Sequence, residues 1–594
     1  MTHGDGNTLW ASTLLEELAR CGVREVCVAP GSRSTPLVLA ASREVGFRAR
    51  VFLDERSAAF FALGLGKGSG VPAVVITTSG TAVANLLPAV VEASQSEVPL
   101  LLLTADRPHH LRDADANQAI RQPGIFGTYT REAWDLPQPR VDGESLLHLR
   151  SVAARAVAAA LGAPGGPVHL NLPFRKPLEP RPDAGEVPQG FEAANPLAVR
   201  GRDGAPLVRI GTRRAAASEE EMEDLGALLD AAERPVLVAG VVPDPERTGP
   251  ALTRFAAVAG MPLLADPLSG GRTGPGFGSV RVSSYDLFLR APEVRAALRP
   301  DLILRVGAAP TSASLALWLR EMSDVPQVVV DGGGRWKDHL NVASRYVQAD
   351  AADTLAALSR ASPRPAPAAW RRRWEAVERA VRESVLDGSG PDHEGHVAAA
   401  VVRACRPGDV LFVSSSMPIR DVDAFGGSRE GELPVHGNRG ASGIDGIVST
   451  AAGVAAAAGR RTVALLGDLA LLHDSNGLLA VREDGVELVL VVVNNDGGGI
   501  FHMLPIRALD PPFTELFATP HGLDLSHLAG LHGLPHVRID DIGSVASALE
   551  EALEARGSRM IEVRTDRETN RVGHEASVTS ALGAARAALD ISEE

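Results

Sequence analysis

Thr462-Val-Ala-Leu-Leu-Gly467-Asp468-Leu469 and, one segment later, Leu488-Val-Leu-Val-Val-Val-Asn494-Asn495-Asp496-Gly497-Gly498-Gly499 are the two stretches that decide the fold of this 594-residue chain. Each is an unbroken apolar run that stops abruptly at glycine and polar residues. A strand with one wet face alternates; continuous apolar runs suit central strands of a parallel sheet covered on both faces. Ser475 to Glu483, between them, reads as a helix, which makes the pair one βαβ unit. Ligands of such sheets bind beyond the carboxyl ends of the strands. Asp468 and Asn495, about 27 residues apart, therefore bring a carboxylate and an amide oxygen together at one sheet edge. Mg2+ takes few protein oxygens and completes its shell with phosphate oxygens and water, so this edge suits a metal-bridged diphosphate.

Working outward, the same pattern recurs. Glu25-Val-Cys-Val-Ala-Pro, Ala73-Val-Val-Ile-Thr and Leu100-Leu-Leu-Leu-Thr-Ala are candidate strands near the start. Pro235-Val-Leu-Val-Ala-Gly, Leu302-Ile-Leu-Arg-Val-Gly and Gln327-Val-Val-Val-Asp follow in the middle, and Val410-Leu-Phe-Val-Ser precedes the opening pair. Two Pro-rich stretches, from Pro173 to about Pro206 and from Ala361 to Pro367, read as linkers, because Pro breaks helix and sheet pairing. The expectation is an α/β protein of three domains with parallel sheets flanked by helices, over residues 1–185, 206–360 and 368–594.

Composition narrows the function classes. Lys and Arg number 59 against 73 Asp and Glu, a net charge of −14 without a basic block, which disfavours nucleic-acid and anionic-membrane partners. No basic and apolar leader opens the sequence, and the apolar runs fall far short of a bilayer span, so no membrane insertion is expected. Three cysteines (Cys21, Cys27, Cys405) form no CxxC pair, which suits a reducing cytoplasm.

Gly467-Asp468 followed by Asn494-Asn495 resembles the thiamine-diphosphate motif, with Leu469 where the general pattern has Gly. Asn494-Asn-Asp-Gly-Gly-Gly-Ile-Phe501 is similar to one branch, the 2-succinyl-5-enolpyruvyl-6-hydroxy-3-cyclohexene-1-carboxylate (SEPHCHC) synthases of menaquinone biosynthesis. Pro30-Gly-Ser-Arg-Ser-Thr-Pro, Asp54-Glu55-Arg56, Thr77-Thr-Ser-Gly-Thr, Thr104-Ala-Asp-Arg-Pro, Ser414-Ser-Ser-Met-Pro-Ile-Arg420 and His436-Gly-Asn-Arg-Gly-Ala-Ser-Gly-Ile-Asp-Gly446 resemble the same branch in order and spacing. The resemblance implies pyrimidine-binding, central and diphosphate-binding domains. It implies thiamine diphosphate with Mg2+, or Mn2+ as an alternative ion, as cofactors.

Carried over by position, Asp468, Asn495 and the Gly497 carbonyl would ligate the metal, with Ser416, Met417, Gly467 and Leu469 about the diphosphate. Glu55 would be the catalytic carboxylate on the aminopyrimidine, and Ile444 would lie beneath the bent cofactor. The implied reaction decarboxylates 2-oxoglutarate and adds the four-carbon carbanion to isochorismate. Ser32, Arg33, Arg107, Asn117, Gln118, Ser416, Arg420 and Arg439 would bind the substrates' carboxylates, because an Arg fork takes a carboxylate bidentately. Ile500, Phe501 and Leu504 would form an apolar wall. The resembling enzymes share sites across a subunit interface, so a homodimer or dimer of dimers is expected. Ala313 stands where some relatives carry a Lys after a central-domain strand, a departure from the pattern.

Other motifs read more plainly. His393-Glu-Gly-His396 is one residue too short for the HExxH zinc helix, and Gly64-Leu-Gly-Lys67 lacks the P-loop spacing. His109-His110 resembles the histidine pair of thiamine-dependent decarboxylases, but its Asp-Arg-Pro context favours the synthase branch. His521, His527, His532 and His536 lie in a Leu-rich stretch that reads as helix, in structural or exposed positions. Two alternatives stay open: a thiamine-dependent 2-oxo-acid decarboxylase or acetolactate-type synthase, and an inert scaffold subunit.

Overall fold

A computed structural model describes residues 5–211, 214–386, 392–482 and 485–591. The first residues of the chain and Glu483, the end of the expected helix, lie outside the described residues. Three stretches of chain each build a six-stranded, wholly parallel sheet. The first holds β1 (Glu25–Val28), β2 (Arg48–Val51), β3 (Ala73–Thr77), β4 (Leu100–Asp106), β5 (Glu132–Asp135) and β6 (Pro167–Pro173), in the order β2-β1-β3-β4-β6-β5. The second holds β7 (Pro235–Ala239), β8 (Leu263–Ala265), β9 (Arg281–Val282), β10 (Leu302–Val306), β11 (Gln327–Val330) and β12 (Arg345–Val347), in the order β12-β11-β10-β7-β8-β9. The third holds β13 (Val410–Val413), β14 (Val435–Gly437), β15 (Thr462–Gly467), β16 (Leu488–Asn494), β17 (His536–Ile539) and β18 (Arg559–Arg564), in the order β14-β13-β15-β16-β18-β17.

The central strands β3, β4, β15 and β16 are buried along nearly their whole length, as the unbroken apolar runs require. Each sheet contains a central reversal of strand order, the place where such folds carry a crevice beyond the carboxyl ends of two strands. The crevice falls between β1 and β3 in the first sheet, between β7 and β10 in the second, and between β13 and β15 in the third.

The chain divides into two compact units. The unit carrying the first sheet also takes in Gly440–Gly459 and Asp474–Val486, and the other carries the second and third sheets. The third stretch of chain thus contributes to both units. Within the first unit, helix Glu55–Ser69 crosses helix Ile447–Ala458 at two glycines. A Cβ on Gly64 would lie 2.1 Å from the Thr450 carbonyl oxygen, and one on Gly453 would lie 2.1 Å from that of Phe61. Only backbones without side chains can approach so closely. The helix expected from Ser475 to Glu483 differs in detail. A helix begins at Asp468 itself and runs to His473, and Ser475–Arg482 is 3-10.

Candidate active site

In the third sheet, three strand ends converge. Asp468 directly follows β15 as the first residue of helix Asp468–His473 and is 2% exposed. Its Oδ1 accepts from Leu469 N (2.7 Å), and its Oδ2 accepts from Gly497 N (2.9 Å). Burial pushes its carboxyl above the usual carboxylate range, and these N–H donors and His521 pull it back. The Leu469 amide is thus turned onto Asp468.

The Asn pair after β16 is held by two buried carboxylates. Asn494 Nδ2 donates to Glu562 (2.6 Å), and its Oδ1 accepts from Asp496 N (3.0 Å). Asn495 Nδ2 donates to Glu394 (2.8 Å), but its buried Oδ1 has no hydrogen-bond partner. A buried acceptor without a donor is costly unless a ligand completes it. Gly497, with φ of 137°, brings its carbonyl to the same turn, where it accepts from Gly499 N (3.0 Å) and keeps a second lone pair. A carboxylate, an unfilled amide oxygen and a carbonyl form an all-oxygen donor set, which fits Mg2+ or Mn2+.

Two residues here were not singled out as site residues from the sequence. His521 lies in an irregular turn before helix Leu525–Leu531, and its Nε2 is 3.2 Å from Asp468 Oδ2. Its Nδ1 accepts from Leu523 N (3.0 Å), so the proton sits on Nε2 and points at the carboxylate. The expected helical, merely structural position is therefore corrected for His521. His527 is exposed, His532 caps the helix, and His536 opens β17 and pairs with Glu562 (2.9 Å). Glu394, from the dismissed His-Glu-Gly-His motif, is fully buried and pushed up to about 7 by desolvation and the nearby Asp421.

Beyond β13, Ser416 takes a φ of 75°, a left-handed conformation rare for a side chain of this kind, and precedes helix Met417–Phe425 without a side-chain cap. Of the first residues of that helix, Pro418 has no N–H and Ile419 N donates to Ser414 O (3.1 Å), so the turn has the Met417 amide to offer an anion. Arg420 is exposed and donates to Ser416 O (2.6 Å), and Arg439 is half-buried. Ile500 and Phe501 are half-buried and Leu504 is 45% exposed, on short 3-10 turns after Gly499.

The first unit gathers the other set. Ser32 and Arg33 follow β1, Thr77–Gly80 follow β3 and Arg107 follows β4, so they surround that sheet's crevice. Gly31 is needed there, since a Cβ on it would sit 2.4 Å from Thr78 Cβ. Arg33 is buried, donates from Nη1 to Phe174 O (2.7 Å), and leaves Nε without a partner. Burial and the Arg107 guanidinium both disfavour its charge, partly offset by Asp106. Arg107 has a further task. Its fork clasps Asn117 O (2.7 and 3.1 Å) and Ser79 Oγ (2.6 Å), while Gln118 Nε2 reaches Ser79 O (3.0 Å). Two buried guanidiniums close enough for one to disfavour the other's charge suit an anion between them. Ser32, Asn117 and Gln118 are exposed.

Glu55 is the first residue of helix Glu55–Ser69 and is half-buried. The preceding Asp54 caps that helix, accepting from Arg56 N (2.8 Å) and Asn476 Nδ2 (2.9 Å). Ile444, half-buried in the turn before helix Ile447–Ala458, belongs to this same unit. His109 and His110 are exposed.

Comparison with known proteins bears on both sets. The thiamine pyrophosphate enzyme N-terminal TPP-binding domain matches residues 10–125, and the corresponding C-terminal domain matches residues 435–563. The SEPHCHC synthase of Halobacterium salinarum is 46% identical, covering 96% of this chain and 97% of its own. Those of Chloroflexus aurantiacus and Roseiflexus castenholzii are each 43% identical over 96% and 97% of this chain and 96% and 98% of their own. The chain belongs to the SEPHCHC synthase family. As a member of that family it is a thiamine-diphosphate-dependent enzyme forming carbon–carbon bonds, with the three-domain α/β architecture expected from its sequence. Among the described residues of this SEPHCHC-synthase-family chain, no three His, Cys, Asp or Glu side chains cluster as a metal site.

Proposed function

We infer that the chain catalyses decarboxylation of 2-oxoglutarate and 1,4-addition of the resulting four-carbon unit to isochorismate, forming SEPHCHC and CO2 in menaquinone biosynthesis. Beyond family membership, the buried Arg33–Arg107 pair carries this reading, because both substrates are carboxylates and two desolvated guanidiniums suit little else. Bound thiamine diphosphate supplies the carbanion chemistry. Asp468, Asn495 Oδ1 and the Gly497 carbonyl hold Mg2+, and the amides around Ser416 and Met417 face the diphosphate, flanked by Gly467 and Leu469. Glu55 holds and moves a proton at N1′ of the aminopyrimidine. Ile444 would pack against the bound cofactor. Arg33, Arg107, Arg420 and Arg439, with Ser32, Asn117, Gln118 and Ser416, orient the substrates' carboxylates. Ile500, Phe501 and Leu504 keep water from the reacting carbons.

The assembly in this reading is a homodimer or dimer of dimers. Val51 and Leu53, 60% and 80% exposed just before Glu55, are apolar groups that a second copy would cover. Among the described residues no helix is long and apolar enough to cross a membrane. Cys21, Cys27 and Cys405 form no disulfide, which supports a reducing compartment, the cytoplasm in this reading. The deciding experiment supplies thiamine diphosphate, Mg2+, 2-oxoglutarate and isochorismate and identifies products by mass. SEPHCHC is the expected product; turnover of pyruvate alone, or no CO2 release from 2-oxoglutarate, would overturn the reading.

A further inference from the structure

The two asparagines after β16 differ in one respect. Both give their Nδ2 to a buried glutamate. Asn494 then fills its Oδ1 with Asp496 N, whereas the Oδ1 of Asn495 stays unfilled while 9% exposed. An Asn amide can turn end for end, and only its surroundings decide which atom faces a ligand. The partner of Asn495 is a carboxylate oxygen of Glu394, which settles the orientation: the NH2 faces the carboxylate and the oxygen faces away.

Glu394 is itself fixed from several sides. It is the first residue of helix Glu394–Ala404 and 3% exposed. Its N–H donates to Asn570 Oδ1 (2.9 Å), and Thr565 Oγ donates to the same Oε1 (2.9 Å) that receives Asn495. Gly499 also lies against this amide and leaves room for it, since a Cβ there would lie 2.5 Å from Nδ2. Turned over, the amide would set its NH2 toward the cation and its oxygen against a carboxylate, both repulsive.

We propose that Glu394 is a positioning residue that orients Asn495 so that its Oδ1 is presented to Mg2+. This rests on the assignment of Asn495 as a metal ligand. Outer partners of metal ligands are worth about 10- to 100-fold in metal affinity. The test is calorimetric titration of Mg2+ into the full chain with saturating thiamine diphosphate, for the parent, Glu394→Met, Glu394→Gln, Asn495→Ala and the Met/Ala double variant.

Glu394→Met, similar in length but without an acceptor, should weaken Mg2+ binding about 10- to 100-fold, and Glu394→Gln, which keeps an acceptor oxygen, should bring it back to within about threefold. In the Asn495→Ala background, Glu394→Met should cost nothing further. If Glu394→Met leaves Mg2+ affinity unchanged, or adds its full loss to that of Asn495→Ala, the positioning role is overturned. If Asn495→Ala itself leaves Mg2+ affinity unchanged, the metal assignment fails instead. Should the Met variant not fold, Glu394→Asp, whose acceptor is retracted by one methylene, carries the same expected loss and the same refutation.

Discussion

Replacing Asp468 with Asn strikes the proposed metal edge where the structure has most to lose. Its two oxygens are both engaged, Oδ1 with Leu469 N (2.7 Å) and Oδ2 with Gly497 N (2.9 Å) and His521 Nε2 (3.2 Å). An amide offers one oxygen, so either orientation sets an NH2 against at least one N–H. An unpaired buried donor costs about 1–3 kcal/mol. Relief of a desolvated charge works in the other direction, because burial already disfavours this carboxylate. The protein without cofactor should therefore change little in stability.

The loss falls on the bound form. Stripping one partner from a buried charge pair costs roughly 3–5 kcal/mol, or about two to four orders of magnitude in affinity. Cofactor at 100 times its dissociation constant stabilises the parent by about 2.7 kcal/mol; after a hundredfold loss the same concentration gives only about 0.4 kcal/mol. Melting curves with and without thiamine diphosphate and Mg2+, paired with calorimetric titration, read both quantities. A parent-like gain in stability at the same cofactor concentration would refute the reasoning and move the metal's anionic ligand elsewhere.

Three further expectations follow from the same geometry. Glu55→Gln leaves the Asp54 cap and the metal edge untouched, so cofactor affinity should hold within about threefold, while exchange of the cofactor's C2 proton with deuterium falls by roughly two to four orders of magnitude; a parent-like exchange rate by quenched NMR would remove Glu55 from the chemistry. Arg33→Ala should raise KM for a substrate about 10- to 100-fold, the worth of a hydrogen bond to a charged group, with thiamine diphosphate affinity unchanged, and unaltered steady-state kinetics would count against the anion site. His169 is buried against Phe126 and Thr104, and desolvation lowers its pKa from 6.5 to about 4. The unfolded chain therefore binds the extra proton between those values, and stability falls as pH drops through that window, by up to about 1.4 kcal/mol per pH unit. Denaturation at stepped pH should show a shallower fall for His169→Gln, and an identical slope would contradict it.

The strands were legible because central parallel strands need unbroken apolar runs, and the ligand edge because Asp, Asn and Gly interrupt those runs at their ends. The remainder depended on contacts that no spacing encodes. His521 reaches Asp468 only because Asp496 Oδ1 accepts both His521 N (3.0 Å) and Gly522 N (2.7 Å), folding a distant turn back onto β16. Glu394 sat inside a motif weighed only as a zinc helix. Its available signal was a lone carboxylate opening a helix rich in Val and Ala, which burial obliges to find donors. Arg107 was legible as a cation at a strand end but not as a clasp on Asn117 and Ser79, since that loop carries left-handed residues at Asp113, Asp115 and Gln118 with no glycine to announce them.

The three crevices show why fold and function separate along this chain. The first and third sheets share one strand order, yet guanidiniums stand at the strand ends of one and a carboxylate and an unfilled amide oxygen at those of the other. The second sheet also reverses its order, between β7 and β10, but there the loops close on each other. A Cβ on Gly240 would lie 1.6 Å from the Ala308 carbonyl oxygen, and one on Gly307 would lie 2.6 Å from that of Val241. The two loops meet backbone to backbone at that reversal. Ala313, the expected departure from the family pattern, begins a helix just after them. The residues we assign to chemistry thus sit at the strand ends of the first and third sheets, while the loops of the second sheet close on one another at its reversal.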